Sequence, residues 1–350
     1  MDYQGRYPIF DPSSVQTYPL RERVNKVSLD DLINPDEIAY GDITVNERQQ
    51  SRLQMLAREI VRSVDNGWPV IVFTGAHLIK NGLGPILGDL VNRGVVSLVA
   101  GNAATAIHDF ELALIGETSE YVPDGLEKGR FGMASEFSLI NGALTIGNRH
   151  KLGFGESLGM MITDGEFRDK VLDYLNGPEL NSTFQYPGQS LLGTCYNENV
   201  PLTIHTGIGT DVIDQHPSFD GEAKGGCSGR DFLIFVAEVL NYSRGGVFLN
   251  IGSAVTGPEV LLKAVSMAAN AGYVPRNIVT GDFDMRDNAP EKMADETSPY
   301  YYFRDQKSVV TRVPEAYDGE GVYVQGDMQL TLPAVYQFIM KELEASGSVR

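Results

Sequence analysis

The chain has 350 residues, of which 42% are hydrophobic, and a formal net charge of −18. This composition is typical of a globular protein, and the length allows either one large domain or two smaller ones. The acidic balance argues against nucleic acid or an anionic membrane surface as the main partner; it is compatible with small cationic molecules, although solubility alone would also explain it. No run approaches the roughly 20 apolar residues of a membrane span, and there are only two cysteines, so we expect a cytoplasmic protein.

In chain order, the sequence predicts an N-terminal extension over residues 1–45 and a single α/β domain over 46–350. Short apolar runs predict strands at 70–73, 95–99, 202–204, 247–251, 276–280, 307–311 and 321–325. Apolar residues at helical spacing predict helices at 45–66, 83–93, 103–115, 164–175, 229–243, 257–272 and 331–345. The glycine-rich stretch from about 117 to 200 predicts, apart from its one helix, an irregular insertion that serves as a lid or a subunit contact.

The alternation of strand, small-residue loop and helix predicts a doubly wound, mainly parallel sheet with helices on both faces. Several of these loops carry a polar group directly after the strand. Because the carboxyl ends of parallel strands meet at one edge of a sheet, and ligands bind there beside helix N-termini, the polar groups should converge on a nucleotide or small-molecule site.

The densest polar cluster runs from Gly101 and Asn102 to Glu111. Gly101 allows a tight backbone turn, and Asn102 stands where a ligand contact or a helix cap would be. His108 and Glu111 share one helix face, so they are candidate catalytic residues, although a solvated helix face is the alternative.

Two further loops offer backbone amides and polar side chains. The loop after the strand at 202–204 contains His205, a candidate catalytic residue, and then Thr206, Gly207 and Asp211, which suit a ribose or an amine. Gly252 and Ser253 precede a helix whose first-turn amides suit a phosphate.

Near the end of the sequence, Asp327 could accept a ribose hydroxyl or cap the last helix. Lys307 is a candidate Schiff-base nucleophile if it is desolvated. The five histidines have no metal-site spacing, so no metal site is predicted.

Taken together, the loops resemble the deoxyhypusine synthase family, an NAD-binding fold of the Rossmann type. The resemblance covers roughly 65–345 and rests on the order of short motifs: Thr74-Gly75-Ala76-His77, Gly101-Asn102 with Phe110-Glu111, His205–Asp211, Gly252-Ser253, and Tyr323–Asp327. The acidic substrate loop of that family has no counterpart in the stretch 295–307, and Arg304 competes with Lys307 for the position of its nucleophilic lysine.

A second resemblance is closer locally. Residues 73–76, 100–103 and 108–111 are similar to the C-terminal domain of archaeal-type ornithine cyclodeaminases and arginine dihydrolase relatives, which also implies NAD. The residues expected to bind NAD are Thr74, Gly75, Ala76, Gly101, Asn102, Thr206, Gly207, Asp211, Gly252, Ser253 and Asp327.

The resemblances imply an NAD-dependent transferase or lyase that acts on a small cationic amine or amino acid through C–N oxidation to an imine. They also imply a homodimer or a homotetramer with the ligand edge near a subunit contact. Two alternatives stay open: an ornithine cyclodeaminase-type lyase, and a catalytically silent nucleotide-binding or scaffold protein.

Overall fold

A six-stranded parallel sheet organises the chain. The structure is a computed structural model that describes residues 3–41, 43–176, 180–293 and 295–347. Residues 1–2 and 42 of the predicted extension, residues 177–179 of the predicted insertion, and residues 294 and 348–350 lie outside the described residues. The strands are β1 Asn25–Ser28, β2 Val70–Thr74, β3 Leu98–Asn102, β4 Glu117–Glu120, β5 Leu202–His205, β6 Gly246–Ile251, β7 Ile278–Asp284 and β8 Glu320–Gln325. The sheet has the order β5-β3-β2-β6-β7-β8, and β1 pairs with β4 in a separate antiparallel ribbon.

Fourteen α-helices connect and cover these strands in the described part of the chain. They are α1 Pro35–Tyr40, α2 Glu47–Asn66, α3 His77–Lys80, α4 Gly84–Asn92, α5 Ala103–Ile115, α6 Val122–Glu127, α7 Phe137–Arg149, α8 Phe154–Thr163, α9 Gly165–Leu175, α10 Leu191–Asn197, α11 Gly221–Val239, α12 Thr256–Asn270, α13 Val313–Ala316 and α14 Met328–Ser346. None of the described helices is long and apolar enough to cross a membrane.

The two faces of the sheet carry different helices, because successive strand residues point to opposite sides. Val72 of β2 belongs to a core with the apolar residues of α2, α4, α5 and α14. Its neighbours Ile71 and Phe73 belong to a second core with α11 and α12. The predicted doubly wound fold with helices on both faces is therefore confirmed.

Three predicted strands differ from the structure by more than one residue. The strand predicted at 276–280 corresponds to β7, which begins two residues later and ends four residues later. The strand predicted at 95–99 begins three residues later, since Ser97 instead uses its hydroxyl and amide to bind the backbone of Val70. The strand predicted at 307–311 is wrong: Gln306–Arg312 forms a π-helix, and its Val309 is buried in the second core. The apolar, β-branched residues of that segment pack into the core from a helix and do not add a strand to the sheet.

The middle of the chain is helical where we expected irregular structure. Helices α6 to α10 occupy most of 117–200, and α7 is buried along almost its whole length. The glycines that suggested loops allow close helix packing instead. A Cβ at Gly155 would stand 1.7 Å from the carbonyl oxygen of Leu202, and one at Gly147 would stand 1.9 Å from the hydroxyl of Ser157.

The N-terminal segment docks on the body at two places. Arg23 forms a buried ion pair of 2.7 Å with Glu111 of α5, beside the β1–β4 ribbon. Further along, Gln337 of α14 donates a hydrogen bond of 3.2 Å to the carbonyl of Ile38 in α1. The segment lies outside the six-stranded sheet and is fixed to its helical cover.

Candidate functional site

The strand order creates a crevice between β2 and β6. Helices α3 and α4, which follow β2, contribute to the first core, whereas α12, which follows β6, contributes to the second. The chain therefore leaves these adjacent strands in opposite directions. In open α/β sheets, ligands bind outside the carboxyl ends of the strands at such a switch point.

The two loops of the crevice are in direct contact. The amide of Gly75 donates a hydrogen bond of 2.9 Å to the carbonyl of Ile251. A Cβ at Gly75 would stand 2.3 Å from the carbonyl oxygen of Gly252, which has a φ of +62°. The two glycines thus permit the contact between the loops. The amide of Gly252 donates a hydrogen bond to the carbonyl of Phe283.

Ten of the residues predicted to bind the cofactor lie at the carboxyl edge of the sheet. All of its strands run parallel, and these residues end a strand or follow it within two positions. They are Thr74, Gly75, Ala76, Gly101, Asn102, Thr206, Gly207, Gly252, Ser253 and Asp327.

Several of these side chains have partners within the protein. Asn102 Oδ1 accepts the amide of Thr105 at 3.0 Å and so caps α5, and Asp327 Oδ1 accepts the amide of Gln329 at 2.9 Å and so caps α14. Ser253 Oγ accepts the amide of Gly257 in the first turn of α12 at 2.9 Å. Contacts of these residues to a cofactor stay predictions.

His205 ends β5 inside an aromatic cluster. Its ring stacks on Phe73 with centroids 5.5 Å apart and meets Phe235 edge-on at 5.4 Å. Burial lowers the pKa of His205 to about 3, so the imidazole is neutral at physiological pH. The residue lines a cavity of about 460 Å³ between α11 and α12.

A buried lysine that the sequence analysis missed fixes the loop after β5. Lys224 of α11 is fully buried, and its ammonium contacts Asp211 at 2.7 Å, Asp214 at 2.5 Å and the carbonyl of Gly207 at 2.8 Å. Asp211, predicted as a cofactor ligand, is therefore engaged by Lys224. A buried lysine beside two carboxylates holds this loop against α11.

His108 and Glu111 lie together, as their spacing predicts, but beside the N-terminal segment. His108 Nδ1 is 2.7 Å from the hydroxyl of Thr118, which donates to Glu111. Burial alone would raise the pKa of Glu111, but Arg23 and His108 lower it to about 2. This geometry gives both residues a structural partner, and their catalytic roles stay predictions.

Lys307, the predicted nucleophile, lies in the π-helix. Its Nζ stands 3.2 Å from the centroid of the Tyr301 ring and 3.4 Å from the carbonyl of Tyr301. Desolvation, together with Arg312 and Arg304, lowers its pKa. The direction of this change favours a nucleophilic amine, and the role stays a prediction.

Three carboxyls gather at the end of β7 and the start of the π-helix. We call Asp282, Asp284 and Asp305 the carboxyl cluster; Asp282 is fully buried and Asp305 is 1% exposed. Asn250 of β6 donates a hydrogen bond of 2.7 Å to Asp282. Arg286 pairs with Asp284 at 2.7 Å and also with Asp305. One guanidinium therefore pairs with two of the three carboxyls, and Asp282 has only the amide of Asn250 as a side-chain partner among the described residues.

The cluster has unusual protonation behaviour. Burial and the charge of Asp305 raise the pKa of Asp282 well above its ordinary value. Burial raises the pKa of Asp305 to about 6, although Arg286 opposes the shift. For Asp284, Arg286 outweighs burial and lowers the pKa. Within one cluster, the pKa of Asp282 is therefore raised and that of Asp284 is lowered.

Unpartnered oxygens surround this cluster. Within the described part of the chain, Asp282 Oδ2, Asp305 Oδ1, Asn250 Oδ1 and Gln306 Oε1 are buried and lack a hydrogen-bond partner. All four are acceptors, so a group with several donors, such as an ammonium, would satisfy them. No group of three or more histidine, cysteine or acidic side chains with metal-binding geometry occurs among the described residues.

Sequence reasoning missed the carboxyl cluster. Asp282 and Asp284 alternate with Phe283 two to four residues after the strand predicted at 276–280, and this position is the signal that could have identified them. Asp305 is distant in sequence and comes close only because the π-helix packs on β7. Pairing across 20 or more residues cannot be read from local patterns.

No known protein family is matched by the sequence, and no curated protein matches it significantly. Solved structures match it in fold. An arginine dihydrolase from the ornithine–ammonia cycle of cyanobacteria is 16% identical with a TM-score of 0.47, over 85% of this chain and 32% of its own. AgrE, in a ternary complex with ornithine and NAD⁺, is 16% identical with a TM-score of 0.46, over 87% of this chain and 35% of its own.

A candidate deoxyhypusine synthase from Entamoeba histolytica is 11% identical with a TM-score of 0.38, over 91% of this chain and 97% of its own. This chain spans about a third of the length of the arginine dihydrolase and of AgrE. This chain is therefore similar in fold to structures from both groups that its sequence resembles.

Proposed function

We propose that this chain binds NAD at the crevice between β2 and β6 and oxidises a small cationic amine or amino acid at a C–N centre to an imine. The observation that carries the proposal is the carboxyl cluster with its unpartnered acceptors. It lies at the end of β7, the strand next to β6, which borders that crevice. A dinucleotide site and a cation site then share one edge of the sheet.

The residues at the crevice are compatible with a dinucleotide. Gly75 and Gly252 bring the two loops close enough to form a continuous floor. In the first turn of α12, Gly257 donates to Ser253 and Pro258 has no amide, which leaves the amide of Thr256 for an anion. Asp327 supplies a carboxylate for a ribose hydroxyl at the far side of the sheet.

The carboxyl cluster is the site proposed for the amine. Three carboxyls and one guanidinium have a net charge of −2 when all are ionised, and a cation relieves this imbalance. The ammonium of a substrate would donate to Asp282 and Asp305, whose free oxygens have no donor.

The same cluster offers a base. When bound, NAD supplies the acceptor for the hydride that leaves the carbon next to the amine nitrogen. The nitrogen must also lose a proton as the C=N bond forms. Asp305, with a pKa raised to about 6 by burial, is largely ionised at neutral pH and is suited to take that proton. In a transferase or a lyase, the same hydride would return to the product carbon later in the cycle, so NAD⁺ would not be consumed.

We also propose that the carboxyl edge lies near a contact between copies of this chain, in a homodimer or a homotetramer. Large apolar side chains are exposed in the loops and helix ends around this edge: Ile208 at 62%, Val255 at 59%, Met285 at 70%, Tyr302 at 65% and Leu330 at 39%. Apolar patches of this kind mark interaction surfaces. Light scattering that shows a monomer at micromolar concentration would count against this assembly.

The function is tested first by binding. The purified protein is titrated with NAD⁺ in a calorimeter, and reduction of NAD⁺ is followed at 340 nm with ornithine and 1,4-diaminobutane. We expect Asp305→Asn to raise the KM for the amine at least tenfold while the Kd for NAD⁺ changes less than twofold. Glu291→Gln, which removes an exposed carboxylate outside any ion pair of the described residues, is the matched control.

Two results would contradict the proposal. If the wild type binds no NAD⁺, the cofactor and the reaction both fall. If it binds NAD⁺ but gives neither bound NADH in a single turnover nor consumption of any cationic amine, a catalytically silent nucleotide-binding protein is favoured instead.

A further inference from the structure

The cavity between α11 and α12 has one smooth wall. Gly225 and Gly229 lie one turn apart on α11, and a Cβ at either would meet no atom within 4 Å. Phe232 extends this wall by another turn, and Val260 of α12 lines the cavity opposite it. The cavity, of about 460 Å³, is thus a slot between two helices that admits a flat, largely apolar group.

The base of the slot is aromatic and carries one available nitrogen. His205 is 6% exposed, stacks on Phe73 and lines the cavity. Its Nε2 is 3.1 Å from the hydroxyl of Thr203, and within the described residues nothing hydrogen-bonds to its Nδ1. A neutral imidazole inside an aromatic cluster suits a planar heterocycle that can share one hydrogen bond.

The mouth of the slot is charged. Thr256, the first residue of α12, lines the cavity and leads to the open end of a 15-residue helix. Glu259 accepts from Arg304 at 3.0 Å and pairs with Lys263, so two cations stand near this entrance. An anionic group attached to the heterocycle would therefore leave the slot toward a helix N-terminus and positive charge.

We propose that this slot binds the adenine ring of the dinucleotide, with its phosphates at the first turn of α12. This inference rests on the proposed function, because it locates one end of NAD. It assigns the reactive nicotinamide to the other end of the crevice. The carboxyl cluster extends from β7, four strand positions from His205 on β5, or about 19 Å across the sheet. The imidazole at the base of the slot offers no proton exchange near neutral pH, which suits the ring that does not react.

The test fills the slot. The Cβ of Gly229→Leu would meet no atom within 4 Å, so the variant should fold. Gly165→Leu is the control, because it also meets no atom within 4 Å but lies on the exposed start of α9. Calorimetry with NAD⁺, AMP and nicotinamide mononucleotide should show a loss of affinity of at least tenfold for NAD⁺ and AMP in Gly229→Leu and none in the control.

Saturation-transfer NMR supplies a second readout on the wild type. The adenine protons of bound NAD⁺ should receive more saturation than the nicotinamide protons, since the adenine is enclosed on two sides. Unchanged binding of AMP by Gly229→Leu would overturn the inference while leaving NAD binding intact. A selective loss of nicotinamide mononucleotide binding would also overturn it, because it would place the other ring in the slot. A wild type that binds neither NAD⁺ nor AMP would remove both this inference and the proposed function.

Discussion

Replacement of Lys224 by methionine tests how the loop after β5 is held. The Lys224 side chain is 1% exposed, and those of its partners Asp211 and Asp214 are 13% and 5% exposed. Unit charges 2.7 Å apart attract by about 6 kcal/mol at an effective dielectric constant of 20, and burial of the ammonium offsets much of this gain. Removal of the lysine leaves two buried carboxylates without a cation, so the free energy of unfolding should fall by about 3–5 kcal/mol.

Urea unfolding measures this change, and limited proteolysis reports whether the loop opens. Lys170→Met is the matched control, because Lys170 pairs with Glu166 but its side chain is 49% exposed; its loss should leave the free energy of unfolding nearly unchanged. When Asp211 and Asp214 are also changed to asparagine in the Lys224→Met background, most of the lost stability should return. A cost below about 1 kcal/mol for Lys224→Met would refute the reasoning.

Three further predictions concern a buried carboxyl, a buried glycine and an exposed helix cap. Burial raises the pKa of Asp231 to about 7, so its contribution to stability is present at low pH and is lost as the pH rises from about 4 to 7. Over this range, urea unfolding should show that the free energy of unfolding of the wild type falls relative to that of Asp231→Asn, by at most about 4 kcal/mol. Gly155→Ala should cost about 1–3 kcal/mol because its Cβ would collide with Leu202, whereas Gly165→Ala should be neutral or stabilising; equal thermal shifts for the two would contradict this. Asp327→Ala should cost about 0.5–2 kcal/mol through loss of a helix cap that Asp327→Ser restores, and if Asp327 also binds ribose, calorimetry should show both variants losing about 10- to 150-fold in NAD⁺ affinity.

Local patterns predicted much of the sheet and its helices. Helix α5 has the predicted bounds, since Asn102 caps its start and Gly116 ends it in the left-handed conformation. Strands β2, β5 and β6 lie within one residue of their predicted positions, because fully buried parallel strands appear as short apolar runs bounded by glycine or proline.

The rest depends on contacts that no local pattern records. From the sequence alone, the glycines in α7 and α8 are interpreted as loop residues. They stand inside helices because a neighbouring element packs closely there, as Leu202 does beside Gly155, and the sequence does not show that neighbour. Lys224 and Asp305 resemble ordinary surface charges in the sequence, and their importance comes from burial beside distant partners. The edge of the sheet was therefore predictable, whereas its electrostatics was not.

The contact of α1 with α14 has a consequence for the order of folding during synthesis. Gln337 and the carbonyl of Ile38 are 299 positions apart, and every strand of the large sheet is translated between them. Closing so long a loop is slow, and the contact cannot form before α14 leaves the ribosome. Until then, α1 lacks the helix on which it finally packs. During that interval Arg23 can already meet Glu111, which is translated far sooner. The N-terminal segment should therefore become fixed in two stages, first at the β1–β4 ribbon and only at the end of translation against the last helix.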